Sequence, residues 1–151
     1  MNLFEVRKVK DGDIENGLLD VFIQGYRYHQ HGRPDVFLNL SDNELSKDLD
    51  RTLENMQVIV ILDDNMVVGY LAYKIKKGHT KKLDVDQLVI KDAYRSMGLG
   101  KQLMDEANDI GLKNGCDRIE LNCWMFNENA INMYEHIGFK RQRIMYEKKL
   151  K

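Results

Sequence analysis

The sequence predicts one mixed α/β domain, and three observations carry that prediction. Segments whose apolar residues alternate every second position are interleaved with segments where they recur every three or four, the marks of half-buried strands and amphipathic helices. The chain of 151 residues is long enough for one well-buried core and too short for two ordinary domains. One stretch, Leu83 to Met104, runs an apolar strand directly into a glycine-spaced turn and a helix. That succession sets backbone N–H groups at a helix N-terminus, where an anion can meet them.

Taken in order, Phe4 to Val9 alternates as a strand. Asp13 is the expected N-cap of a helix running to about His29, with Ile14, Leu18, Val21, Phe22 and Gly25 on one face. Gly17 and Gly25 each weaken that helix by about 1 kcal/mol relative to alanine, so a bend or a close neighbour is expected there. Pro34 closes the following segment. Ser41 caps a second helix, about Asp42 to Glu54, which carries Leu45, Leu49 and Leu53 at helical spacing. Gln57 to Leu62 and Met66 to Ile75 read as a hairpin around Asp63-Asp64-Asn65, residues that tolerate left-handed backbone. Gly78 marks a second turn among Lys74, Lys76, Lys77, Lys81 and Lys82, read as a solvated hairpin tip or as a basic rim. The strand Leu83–Ile90 follows, then a helix Leu99–Lys113 stopped by Asn114-Gly115, a strand Arg118–Trp124 and a helix Glu128–His136 ended by Gly138. Phe139 to Lys149 reads as one closing strand or a bent pair. No repeat, linker or low-complexity tract divides the chain, so residues 1–151 are expected to form one unit.

Composition excludes several classes. A net charge of −1 offers no global attraction to nucleic acid or to an anionic membrane. No apolar stretch approaches bilayer length, and the charged start MNLFEVRKVK is unlike a signal peptide, so a cytoplasmic protein is expected. Cys116 and Cys123, with no CxxC and no histidine cluster, read as reduced thiols; no metal site is expected.

The turn Arg95-Ser96-Met97-Gly98-Leu99-Gly100 is neither of the two best-known phosphate loops. A Walker loop needs glycine where Arg95 sits and Ser or Thr where Gln102 sits, and a dinucleotide fingerprint needs a third small residue where Leu103 sits. What remains, Arg/Gln-x-x-Gly-x-Gly/Ala after an apolar strand, resembles the GNAT superfamily of acyl-CoA-dependent N-acyltransferases. A second stretch from Asn127 to Phe139 is similar to that family's N-x-x-A-x-x-x-Y-x-x-x-G-F signature, with Asn127, Ala130, Tyr134, Gly138 and Phe139 at its fixed positions.

The resemblance implies a strongly twisted, mostly antiparallel sheet of six or seven strands flanked by about four helices. In it the strands Leu83–Ile90 and Arg118–Trp124 run parallel and splay apart to admit a pantetheine arm. It implies acetyl-CoA as acyl donor, its pyrophosphate held by Arg95, Ser96, Met97, Gly98, Leu99, Gly100 and Lys101, largely through N–H groups. Main-chain groups of Leu88, Val89 and Ile90 would pair with the pantetheine, and Asn127 would touch the coenzyme. Tyr134 would protonate the departing thiolate. An alkylammonium acceptor, of pKa about 10.4, must lose a proton before it attacks, and Asp84 or Asp86 would assist. Strand parity puts Asp84, Asp86, Leu88 and Ile90 on one face.

Among GNAT proteins the acceptor is met by the first two helices and the loop between them, so Tyr26, His29, Phe37 and, from its strand end, Trp124 are the candidate acceptor contacts. The aromatic and histidine-rich loop favours a partly enclosed pocket and hence a small-molecule amine, with a peptide N-terminus or a lysine as the alternative acceptor. A non-catalytic acyl-CoA sensor and a structural domain with a fortuitous glycine turn stand beside the transferase reading. Homodimers are frequent in the family, and the sequence carries no mark of one.

Overall fold

The structure, a computed structural model, describes residues 4–151. Its elements are β1 (Phe4–Lys8), a wide helical turn (Ile14–Leu18) leading into α1 (Leu19–Gly32), α2 (Asp42–Asn55), β2 (Gln57–Asp63), β3 (Met66–Lys77), β4 (Lys81–Ile90), α3 (Leu99–Lys113), β5 (Arg118–Leu121) and α4 (Glu128–His136). The strands form one sheet in the order β1-β2-β3-β4-β5, antiparallel except for the parallel pair β4 and β5. The central strands are buried on both faces, so Val58–Leu62 and Val67–Tyr73 read as continuous apolar runs. On one face Leu18, Val21 and Phe22 of the α1 region and Leu45 and Leu49 of α2 pack on Val58, Val60, Tyr70 and Ala72. On the other, Leu99, Leu103, Met104 and Ala107 of α3 pack on Ile59, Ile61, Leu71, Leu83 and Val85. Each fully buried leucine contributes about 2 kcal/mol of transfer free energy to this sandwich.

Local signals act as read at several termini. Ser41 Oγ accepts from the Glu44 N–H at 3.1 Å and starts α2. Asp64 takes φ 54° in the β2–β3 turn, and Asn114 and Gly115, the latter at φ 73°, close α3.

Elsewhere tertiary contacts overrule the local reading. Asp13 is not an N-cap: its backbone is helical, and its carboxylate turns to β1, accepting from Arg7 Nη1 at 2.8 Å and from the Lys10 N–H at 2.8 Å. The bend expected at Gly17 is present and obligatory. Gly17 has φ 118°, and a Cβ there would lie 2.5 Å from the Val67 carbonyl oxygen.

Among the described residues the sheet has five strands, not six or seven, and Phe139–Lys149 forms none. Ile144, Met145 and Tyr146 are consecutive, so a strand would turn them to both faces beyond the last edge of the sheet, where no layer covers them; each is more than three-quarters exposed. Polar links hold this segment instead: Arg141 to Glu135, Gln142 to Glu120 and Glu147 to Arg33. β5 also stops at Leu121, short of Trp124, and β4 supplies the reason. The β3–β4 register passes from Ala72↔Gln87 to Tyr73↔Val85, leaving Asp86 as an extra, bulged residue. The last β4–β5 pair is Val85↔Leu121, immediately before that bulge. The two parallel strands therefore part where β4 kinks.

Candidate active site

The parting of β4 and β5 leaves Asp86, Leu88, Val89 and Ile90, four of the residues singled out by sequence, on a stretch of β4 with no β5 beside it. Beyond the bulged Asp86, residues Gln87–Ile90 of β4 pair with β3 but not with β5, so their other backbone edge faces the opening. Leu88 and Ile90 point to the α3 layer, and Val89 points to α1, where a Cβ on Gly25 would lie 2.7 Å from Val89 Cγ2. The bulge corrects the parity reading. Leu83 and Val85 share the α3 face with Leu88 and Ile90, so Asp84, between the first two, turns to the opposite face. Asp84 lies within the paired part, opposite Glu120, and its Oδ2 is 3.0 Å from Lys76 Nζ. Asp86, at the split, is exposed and accepts from Gln87 Nε2 at 3.1 Å.

The turn entering α3 has Ser96 at φ 63° and Gly98 at φ 78°. The first helical bond runs from the Gln102 N–H to the Gly98 carbonyl, so the Leu99, Gly100 and Lys101 N–H groups open the helix without an intrahelical partner. The two motif glycines serve different ends. A Cβ on Gly98 would meet nothing within 4 Å, whereas one on Gly100 would sit 2.9 Å from Met133 Sδ; Gly98 shapes an open turn and Gly100 lets α3 approach α4. Arg95 and Lys101 each have a carboxylate of their own, Asp92 at 3.0 Å and Asp105 at 2.9 Å. Their presence in this turn is thus electrostatically balanced by the chain itself.

Tyr134, on α4, packs edge-on against Phe139 with centroids 5.7 Å apart. Burial pushes the Tyr134 phenol well above its ordinary range, with Cys123 adding to the shift only where its thiol ionises at high pH, so at neutral pH the phenol carries its proton. Burial also raises the Cys123 thiol, and both cysteines are free. Asn127 caps α4 by accepting from the Ala130 N–H at 3.3 Å, and the same Oδ1 accepts from Tyr28 Oη at 3.2 Å. The Arg95 guanidinium lies 5.1 Å over the Tyr28 ring. Tyr28 thus touches both a turn residue and the α4 cap.

The four acceptor candidates come together in one aromatic cluster. Phe37 is the hub, with centroid distances of 5.8 Å to Tyr26, 5.4 Å to His29 and 5.7 Å to Trp124. Phe126 and Tyr28 extend it, as does Arg33, whose guanidinium stands 4.9 Å over Trp124 and pairs with Asp35 at 2.9 Å and Glu147 at 2.8 Å. Sequence reasoning missed Phe126. Its one local hint is a second aromatic residue two positions after Trp124, and the contact that places it, against Gly32 at the end of α1, is long-range. Surface hollows of about 340 Å³ beside β1 and about 500 Å³ beside Tyr73 share no residue with this site. Among the described residues no cluster of three His, Cys, Asp or Glu could hold a metal ion, and no helix is long and apolar enough to cross a membrane.

Comparison with known proteins bears on the family and the fold. The family model described as "Acetyltransferase (GNAT) family" matches residues 22–139. N-alpha-acetyltransferase 30 of Saccharomyces cerevisiae is 30% identical over 84 residues, 54% of this chain and 48% of that protein. Thialysine N-epsilon-acetyltransferase of Mus musculus is 28% identical over 76 residues, 49% of this chain and 45% of that protein. The chain spans about half the length of these two curated relatives. The solved structure of a tetramutant of the BH1408 protein from Bacillus halodurans superposes with a TM-score of 0.84 at 19% identity, covering 97% of this chain and 99% of that one, a likeness of fold.

Proposed function

The chain belongs to the acetyltransferase (GNAT) family, and on that footing we propose that it moves an acetyl group from acetyl-CoA to a primary amine by direct transfer in a ternary complex. The observation that supports the reading is the split between β4 and β5 at Asp86, beside which Gly100 of α3 lies against Leu88 of β4 and against Met133, the neighbour of Tyr134 on α4. In this reading the Leu99, Gly100 and Lys101 N–H groups hold the pyrophosphate, with Arg95, Ser96, Met97 and Gly98 shaping the turn. The open face of Gly98 leaves room for it. The free backbone edge of Leu88–Ile90 pairs with the pantetheine as an added strand.

Asp86 takes a proton from the acceptor ammonium, directly or through water. The freed nitrogen attacks the thioester carbonyl, a C–N bond forms, and the C–S bond breaks. Tyr134, held protonated by burial, gives its proton to the sulfur and regains one from the new amide nitrogen. The two protons shed by the ammonium are thus accounted for, one to solvent through Asp86 and one to the thiol. Of the two carboxylates, Asp84 is the less suited, because it lies in the paired part of the sheet and faces Lys76.

The acceptor is a small-molecule amine met by Tyr26, His29, Phe37 and Trp124, whose clustering supports a common wall. A peptide α-amine is the second reading, favoured by the 30% identity to an N-alpha-acetyltransferase. Turnover of acetyl-CoA with thialysine and with a tetrapeptide bearing a free α-amine tests both. Coenzyme binding without turnover of either amine would leave the acyl-CoA sensor reading, and no coenzyme binding would refute the proposal entirely.

A further inference from the structure

Gln87 stands next to the bulge, and its side chain turns into the sheet face covered by α1 and α2. Its Oε1 accepts from the Tyr70 hydroxyl at 2.6 Å, and its Nε2 donates to Thr52 Oγ1 at 3.4 Å and to Asp86 Oδ2 at 3.1 Å. Each proton in this network has one assignable direction. The Thr52 hydroxyl donates to the Asp48 carbonyl at 3.1 Å, so its oxygen is left to accept. Tyr70 is buried, 2% exposed, and its ring stacks on Phe22 at 6.2 Å. Burial, reinforced by the nearby Asp86 charge, holds the Tyr70 phenol protonated, so it is a donor. The amide of Gln87 cannot be flipped without setting its NH2 against that donor. One N–H therefore remains for Asp86, aimed from a side chain anchored in the core.

We propose that Gln87 is the positioning residue of the active site, fixing the bulged Asp86 carboxylate through Oδ2 so that its other oxygen meets the acceptor amine at the split of β4 and β5. This rests on the reading of Asp86 as the base. A bulged, exposed aspartate is otherwise free to sample several rotamers, and loosening a reacting group from its working geometry lowers turnover without weakening coenzyme binding. Asp84 is held instead by Lys76, whose side chain is exposed and not anchored in the core.

The test is a double-mutant cycle. Gln87→Leu and Gln87→Met each remove the donor without adding a charge, and circular dichroism of both variants checks the fold, so a folding defect does not obscure the result. The amine is whichever of thialysine and the tetrapeptide the wild type acetylates. The expected result is a kcat lowered at least tenfold in both variants, with the acetyl-CoA dissociation constant unchanged, and less than a twofold further effect of Gln87→Leu in an Asp86→Asn background. In the 1H–15N spectrum the Gln87 side-chain amide pair is expected to shift on Asp86→Asn and on Tyr70→Phe. If Gln87→Leu costs the same factor with and without Asp86, the residue acts independently and the inference falls while the base stands. If Asp86→Asn turns over as wild type, or if the wild type acetylates neither amine, the base and its positioning residue fall together.

Discussion

Gly98 and Gly115 form a matched pair that separates a backbone effect from a ligand effect. They precede and follow α3 at φ 78° and 73°, and a Cβ at either would meet nothing within 4 Å. Alanine at each position therefore meets no steric contact and bears only the left-handed penalty, about 1–2 kcal/mol. For a chain of this size that lowers Tm by about 2–8 °C, since 1 kcal/mol corresponds to about 2–4 °C. The two alanine variants should lose similar stability in thermal unfolding followed by circular dichroism. Calorimetric titration with acetyl-CoA should distinguish them. Glutamate at Gly98 puts a carboxylate into the turn assigned to the pyrophosphate and should weaken binding at least tenfold, about 1.4 kcal/mol, whereas Gly115→Glu should leave the dissociation constant unchanged. Equal affinities of Gly98→Glu and Gly115→Glu would refute the assignment of the α3 turn to the coenzyme. A Gly98→Ala protein as stable as wild type would refute the backbone argument beneath it.

Three further outcomes are expected. Tyr134→Phe removes the proton donor while keeping the ring packed on Phe139, so kcat should fall by about 10²-fold in a thiol-release assay with acetyl-CoA affinity retained; an unchanged kcat would remove Tyr134 from the mechanism. Leu103→Ala, at a site with no exposure between α3 and the sheet, should lower the unfolding free energy by about 2–5 kcal/mol in urea titration, and a loss below about 1 kcal/mol would contradict the packing described. The hydrogen bond from Arg7 holds the Asp13 carboxyl below its ordinary range, so its contribution is fully present above the unfolded-state value, about 3.9, and is lost as pH falls through the folded-state value. Asp13→Ala should accordingly destabilise by about 3 kcal/mol at pH 7, the gap to wild type closing in acid; a pH-independent gap would show that the ion pair is not its source.

What the sequence by itself determined was everything that depends on a few neighbouring residues. Ser41 accepts from an amide three positions on, the Asp63–Asn65 turn needs only its own backbone freedom, and α3 is bounded by residues that act within one turn of its ends. The glycine turn and the Tyr134 signature were legible for the same reason, being contiguous strings with fixed spacing. Tyr26, His29, Phe37 and Trp124 could be named as candidates, but only the meeting of the α1–α2 loop with the chain after β5 put them in contact.

Tertiary structure alone decided the rest. Asp13 has the right chemistry for a cap, yet an arginine on β1 outcompetes the helix end for its carboxylate, because a charge-assisted pair held out of water is stronger than a bond to a neutral amide. Residues after Phe139 read as a closing strand, but a strand needs a partner edge, and β5 stops at Leu121. Counting alternate residues along β4 assumes an unbroken pleat. The extra residue at Asp86 appears only when β3 is laid beside it, and that one insertion turns Asp84 away from Leu88 and Ile90, parts β4 from β5 and brings Gln87 over Tyr70 and Thr52. Register is a relation between two strands, so neither strand's sequence contains it.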